Sequence, residues 1–194
     1  MLETLNGYPV NVEEFNTDGE RFIVLLHGFG ASTFSWRTVT KELSQLGHVF
    51  AYDRPGFGYT PVVDRSRHSD PYSLEGQVEL LGAIIDAKAK GRPVIVVGHS
   101  AGALVATEFV LRNPSVVSAL VLESPALWRT PPVPGWLGKT LRAPRLEKRG
   151  EKLLEGFATS GMKILTSSFY DSDMLTDEVV AGYTAPMQNN SWKI

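Results

Sequence analysis

The chain has 194 residues, 43% apolar and 21% charged, with a net charge of −2, a composition ordinary for a soluble globular domain. A chain of this length buries roughly 70% of its extended surface and needs no crosslinks. It has no cysteine, which excludes disulfides, thiolate catalysis and cysteine-based zinc sites.

The balanced charge leaves no electrostatic footprint for nucleic acid. No run approaches the roughly 18 apolar residues of a membrane span. The N-terminus lacks the basic run and apolar core of a signal peptide. A cytoplasmic protein with a small-molecule substrate and no cofactor or metal is the expectation.

In chain order, Tyr8 to Phe15 alternates partly and predicts a hairpin strand. Arg21 to Leu26 (RFIVLL) is a nearly continuous apolar run ending at His27-Gly28-Phe29-Gly30, the pattern of a strand buried on both faces. Phe34 to Leu46 predicts a helix with Phe34, Val39, Leu43 and Leu46 on one face. His48 to Tyr52 (HVFAY) predicts a second buried strand, closed by Asp53-Arg54-Pro55-Gly56. Ser73 is placed to cap a helix whose core face is Leu74, Val78, Leu81 and Ile85. Pro93 to Val97 (PVIVV) predicts a third buried strand, Gly102 to Leu111 a helix stopped by Asn113-Pro114, and Ser118 to Leu122 a fourth strand. Such alternation specifies an α/β fold, a mostly parallel sheet with helices on both faces.

The texture changes after Pro125. Three prolines in Arg129–Gly135 rule out helix or central strand there. Arg129 to Lys152 holds seven Lys/Arg against two acids, the pattern of a solvated cap face or, alternatively, of an anion site. Glu151 to Ala185 carries apolar residues at helical spacings and predicts a mostly helical segment. The expected division is therefore a core over 1–126 and a helical cap over 127–194.

The sharpest motif is Gly98-His99-Ser100-Ala101-Gly102, directly after PVIVV and opening a helix. A nucleophile at a tight strand-to-helix turn needs small residues two before and two after it, so that the helix can pack on the neighbouring strand. The helix N-terminus suits a developing anion. The competing reading is a glycine-rich turn whose serine merely caps the helix.

With His27-Gly28-Phe29-Gly30, Asp53-Arg54-Pro55-Gly56-Phe57-Gly58 and the Ser100 motif in this order, the chain resembles the α/β-hydrolase superfamily. It looks most like small serine hydrolases with a cap after the sixth strand. Phe34-Ser35-Trp36, Tyr72-Ser73-Leu74-Glu75 and Val121-Leu122-Glu123-Ser124-Pro125 are subsidiary matches, and the resemblance covers about residues 7 to 192. It implies that Ser100 is the nucleophile and that the backbone N–H groups of Phe29 and Ala101 form the oxyanion hole. His27 would be structural, and His99 would point away from Ser100. Phe29, Trp128 and Trp136 are candidates to line an apolar acyl or ring pocket.

The family's chain order is Ser, then Asp or Glu, then His. All four histidines here (27, 48, 68 and 99) precede Ser100. His48 is expected in a core or edge role and His68 in solvent. Glu123, at the end of the fourth buried strand, is a weak candidate for the acid. Residues 177–186 resemble the last cap helices leading into a seventh strand, so the resemblance implies a chain truncated before two strands, the acid and the base. Such a chain is expected to expose its fourth strand as a sheet edge and to self-associate. Two functions follow: a serine hydrolase of small esters or related acyl and carbon–carbon substrates, or an inactive fragment or non-catalytic ligand-binding module. A third, weaker option is a second polypeptide that supplies the missing strands and histidine.

Overall fold

The computed structural model describes residues 1–63, 69–127 and 165–188. The described residues divide into two compact units. One holds Met1–Leu127 and the last helix from Tyr183 on; the other holds the described residues up to Gly182.

The first unit is built on six strands: β1 (Leu2–Leu5), β2 (Tyr8–Phe15), β3 (Phe22–Leu26), β4 (His48–Tyr52), β5 (Val94–His99) and β6 (Val117–Glu123), in the order β1-β2-β4-β3-β5-β6. The β1–β2 hairpin is antiparallel, and β2 joins β4 antiparallel. From β4 onward every neighbour is parallel, with Val24 opposite both Phe50 and Val96. The apolar runs of β3 and β4 are buried along their whole length, because the sheet is covered on both sides.

The two-residue alternation of a strand sorts these side chains between the faces. Val10, Val12, Phe22, Val24, Leu26, Phe50 and Tyr52 pack against α2 (Leu74–Lys88) and α3 (Ala101–Arg112), through residues such as Leu81, Ile84, Val105 and Phe109. Ile23, Leu25, Val49, Ala51 and Val97 pack with Trp36 on the other face. Ser73 caps α2 as expected, its hydroxyl accepting from the Gly76 N–H at 3.0 Å. The helix buries Val78, Leu81 and Ile85, and also Leu80 and Ile84.

One expectation needs correction. Phe34 to Leu46 is not one helix but a 3-10 turn (Thr33–Trp36) and a single turn, α1 (Thr40–Leu43). The β-branched run Thr38-Val39-Thr40 weakens a helix there, and its apolar residues face different surfaces. Trp36 is buried under the sheet, Phe34 meets Tyr183 with ring centroids 5.3 Å apart, and Val39 and Leu46 are exposed. The fourth strand of the apolar series, β6, is the sheet's last strand among the described residues, as expected, and Val121 is 48% exposed.

In the region expected to be mostly helical, the described residues form a helical turn at 165–168, a 3-10 turn at Ser172–Met174 and the helix α4 (Asp177–Gln188). The proline-rich basic stretch, His68, Trp128 and Trp136 lie outside the described residues.

Candidate active site

Ser100 sits between β5 and α3 with φ 50° and ψ −114°. A positive φ is uncommon for a residue with a side chain and stores strain. The elbow can be this tight because of its glycines. A Cβ on Gly102 would stand 2.3 Å from the Leu26 carbonyl oxygen and 2.6 Å from that of His27. One on Gly98 would stand 2.6 Å from the Ala103 Cα. The first turn of α3 therefore lies directly against the end of β3.

The Ser100 backbone is fully used. Its N–H donates to the Glu123 carbonyl at 3.0 Å, and its carbonyl accepts from Ala103 and Ala126, each at 3.1 Å. The hydroxyl makes no capping bond to the helix and no hydrogen bond to another described residue. A serine placed to cap would accept from the N2 or N3 amide, so the capping explanation of the motif does not hold.

Phe29 follows β3 in a loop and is 70% exposed, its ring edge-on to Phe57 with centroids 5.5 Å apart. Ala101 is the first residue of α3. Among the described residues neither the Phe29 nor the Ala101 N–H finds an acceptor. Gly28, just before Phe29, is close to the nucleophile: a Cβ there would lie 3.2 Å from Ser100 Cβ and 2.8 Å from His99 Nδ1. The His99 ring and Ser100 Cβ thus border the same point in space.

The remaining histidines are committed. His27 is fully buried; its Nε2 accepts from the Arg54 N–H at 2.9 Å, which leaves the proton on Nδ1, donating to the Gly28 carbonyl at 2.8 Å. Burial, and then the Arg54 charge, hold its imidazole well below the ordinary range, so it stays neutral. His48 lies at the opposite end of the sheet, with Glu14 at 2.7 Å from Nε2 and the Arg92 guanidinium at 3.0 Å from Nδ1. Glu123 ends β6 with an exposed side chain that makes no hydrogen bond to the described residues.

The turn after β4 braces the site from below. The Asp53 carboxylate accepts from the Thr33 N–H at 2.6 Å, the Tyr59 N–H at 2.7 Å and Asn11 Nδ2 at 2.8 Å. Burial nevertheless raises its pKa, the three donors opposing the shift. A Cβ on Gly58, at φ +58°, would clash with this carboxylate. Arg54 is 3% exposed, donating to Gln77 Oε1 at 2.6 Å and to the Gly28 carbonyl at 3.1 Å, with Phe57 under its guanidinium at 5.0 Å. Nothing in the sequence singles out Arg54 or Gln77, since an arginine in a turn and a glutamine on a helix are ordinarily solvated.

Residues 23–191 match the family model described as "Alpha/beta hydrolase family". The chain is 39% identical over 103 residues to a 2-hydroxy-6-oxo-2,4-heptadienoate hydrolase of Pseudomonas putida, covering 52% of this chain and 36% of that protein. It is 26% identical to the uncharacterized hydrolase YugF of Bacillus subtilis, over 96% of this chain and 65% of the relative. It thus spans less than two thirds of either protein's length. The crystal structure of an epoxide hydrolase from Vigna radiata superposes with a TM-score of 0.74 at 22% identity, covering 100% of this chain and 68% of that one.

Proposed function

The chain belongs to the alpha/beta hydrolase family, and on that premise we propose that it is a serine hydrolase in which Ser100 attacks the carbonyl carbon of a small ester or a related acyl or carbon–carbon substrate. The reading rests above all on one observation: Ser100 is held in a strained conformation at a helix N-terminus while its hydroxyl caps nothing. Strain of this kind costs about 1–3 kcal/mol and persists only where the surroundings over-determine it.

In the proposed step, Ser100 Oγ bonds to the carbonyl carbon and gives up its proton, and the oxygen of the tetrahedral intermediate takes hydrogen bonds from the Phe29 and Ala101 N–H groups. Collapse expels the protonated leaving group, and water then releases the acid from the acyl-serine. Phe29 and Phe57 offer an apolar rim for the acyl part. A serine hydroxyl needs a proton acceptor to act at neutral pH. His27 and His48 have both ring nitrogens engaged and cannot serve. His99 borders the site and is the described histidine to be tested.

A second reading, a non-catalytic ligand-binding protein, is favoured by the engagement of both ring nitrogens of His27 and of His48. In another serine hydrolase, loss of the histidine costs on the order of 10⁶ in kcat. The test is hydrolysis of p-nitrophenyl acetate by the chain, by Ser100→Ala and by His99→Gln. Turnover lost in Ser100→Ala supports the hydrolase, and its loss in His99→Gln as well assigns the base. Turnover equal in the chain and Ser100→Ala favours the binding protein.

A further inference from the structure

Beneath the oxyanion loop lies a buried cation with no counter-charge. Arg54 is 3% exposed, and no carboxylate among the described residues pairs with it. Its neighbour Asp53 is taken up by Asn11, Thr33 and Tyr59. Burying an unpaired charge is expensive, so the guanidinium must be held by what it does contact.

Those contacts converge on one peptide group. The Gly28 carbonyl accepts from Arg54 at 3.1 Å and from His27 Nδ1 at 2.8 Å. His27 is fixed in that tautomer by the Arg54 N–H. Gln77 anchors the other side of the guanidinium at 2.6 Å, and its own amide is oriented by a bond from Nε2 to the Tyr72 carbonyl. The Gly28–Phe29 peptide is trans, so its C=O and N–H point in opposite directions. Two donors gripping the carbonyl from one side set the direction of the Phe29 N–H on the other.

We propose that Arg54, acting with His27 through the Gly28 carbonyl, is the positioning residue of the oxyanion hole: it fixes the Phe29 N–H and strengthens it as a donor. A charged donor on the carbonyl draws electron density from the amide nitrogen and makes its hydrogen more acidic, as in any chain of polarised hydrogen bonds. The proposal rests on the reading that the Phe29 N–H binds the oxyanion, and it accounts for a cation that has no ion-pair role.

The test is made on the full chain labelled with ¹⁵N-phenylalanine, the Phe29 resonance being assigned with Phe29→Leu. In Arg54→Met, the Phe29 amide proton is expected to move upfield and, as a less acidic hydrogen, to exchange with solvent more slowly, while the Phe22 and Phe50 amides of the core strands stay put. Acylation by p-nitrophenyl acetate that depends on Ser100 is expected to fall about tenfold in kcat, a fraction of what losing a whole oxyanion donor costs, with KM little changed. Arg54→Lys, which keeps the charge, recovers part of both. An unmoved Phe29 amide in a folded Arg54→Met overturns the proposal, whatever Ser100 does. A moved Phe29 amide without any Ser100-dependent acylation supports the positioning and removes instead the nucleophile reading. If Arg54→Met loses the Phe22 and Phe50 resonances, Gln77→Leu takes its place and must shift Phe29 in the same direction or the proposal fails.

Discussion

Gly102→Ala tests whether the elbow is built by close helix-to-strand contact. The added methyl would stand 2.3 Å from the Leu26 carbonyl oxygen and 2.6 Å from that of His27, both backbone atoms. Ordinary contact begins near 3.4 Å, so α3 must move off β3 by about an ångström. Val105, Ala106 and Phe109, buried on the same helix, would each face a gap, and a gap of about 0.5–1 Å forfeits a quarter to a half of the dispersion well. Overpacking of this kind costs about 1–3 kcal/mol, and the rigid backbone partners put Gly102→Ala near the top, about 3 kcal/mol. Gly82→Ala is the control: it lies inside α2, and its methyl would meet only Phe109 Cε2, at 3.4 Å. Replacing that glycine should stabilise the fold by up to about 1 kcal/mol through helix propensity. Urea unfolding of both variants gives the answer, read from midpoints at constant slope. A Gly102→Ala variant within about 0.5 kcal/mol of the parent would refute the contact argument.

Other consequences follow from the same geometry. Ser100→Gly should melt above Ser100→Ala by an amount corresponding to about 1 kcal/mol, because only glycine relieves the positive φ; equal melting temperatures would show that the elbow is unstrained. Asp53→Asn should destabilise by about 2–4 kcal/mol, since the amide cannot accept the Thr33, Tyr59 and Asn11 donors without turning its own NH₂ toward one of them; urea unfolding checks this. His27 is held below its ordinary 6.5 by burial and Arg54. Its contribution is therefore complete above that pH and is lost as pH falls below it, where the unfolded chain takes up a proton that the fold excludes. His48, shifted the same way by burial, adds to the loss. Stability should fall by about 1 kcal/mol per pH unit below 6.5, measured by urea unfolding between pH 7 and 5, and the slope should lessen in His27→Gln.

The strands were legible because burial on two faces leaves little choice of residue. PVIVV and HVFAY read as strands from their β-branched and aromatic runs alone, and the structure places them in β5 and β4. The Ser73 cap was legible for a local reason, a hydroxyl three residues before a glycine amide. The segment from Phe34 to Leu46 misled because apolar spacing says that residues are covered, not by what; Trp36 goes under the sheet and Phe34 to Tyr183. That β6 is the last strand among the described residues was expected from the resemblance and not from its apolar letters. Within the site, the Gly98–Gly102 motif announced the elbow, whereas the support from Arg54 and Gln77 depends on contacts across 23 residues that no spacing rule encodes.

The most direct test of the central claim is to trap the nucleophile. The chain is exposed to p-nitrophenyl acetate, quenched in acid and mapped by peptide mass spectrometry. An acetyl group on Ser100, absent from Ser100→Ala and diminished in Arg54→Met, is the predicted result. Acetylation confined to lysines, with Ser100 unmodified, would contradict the account.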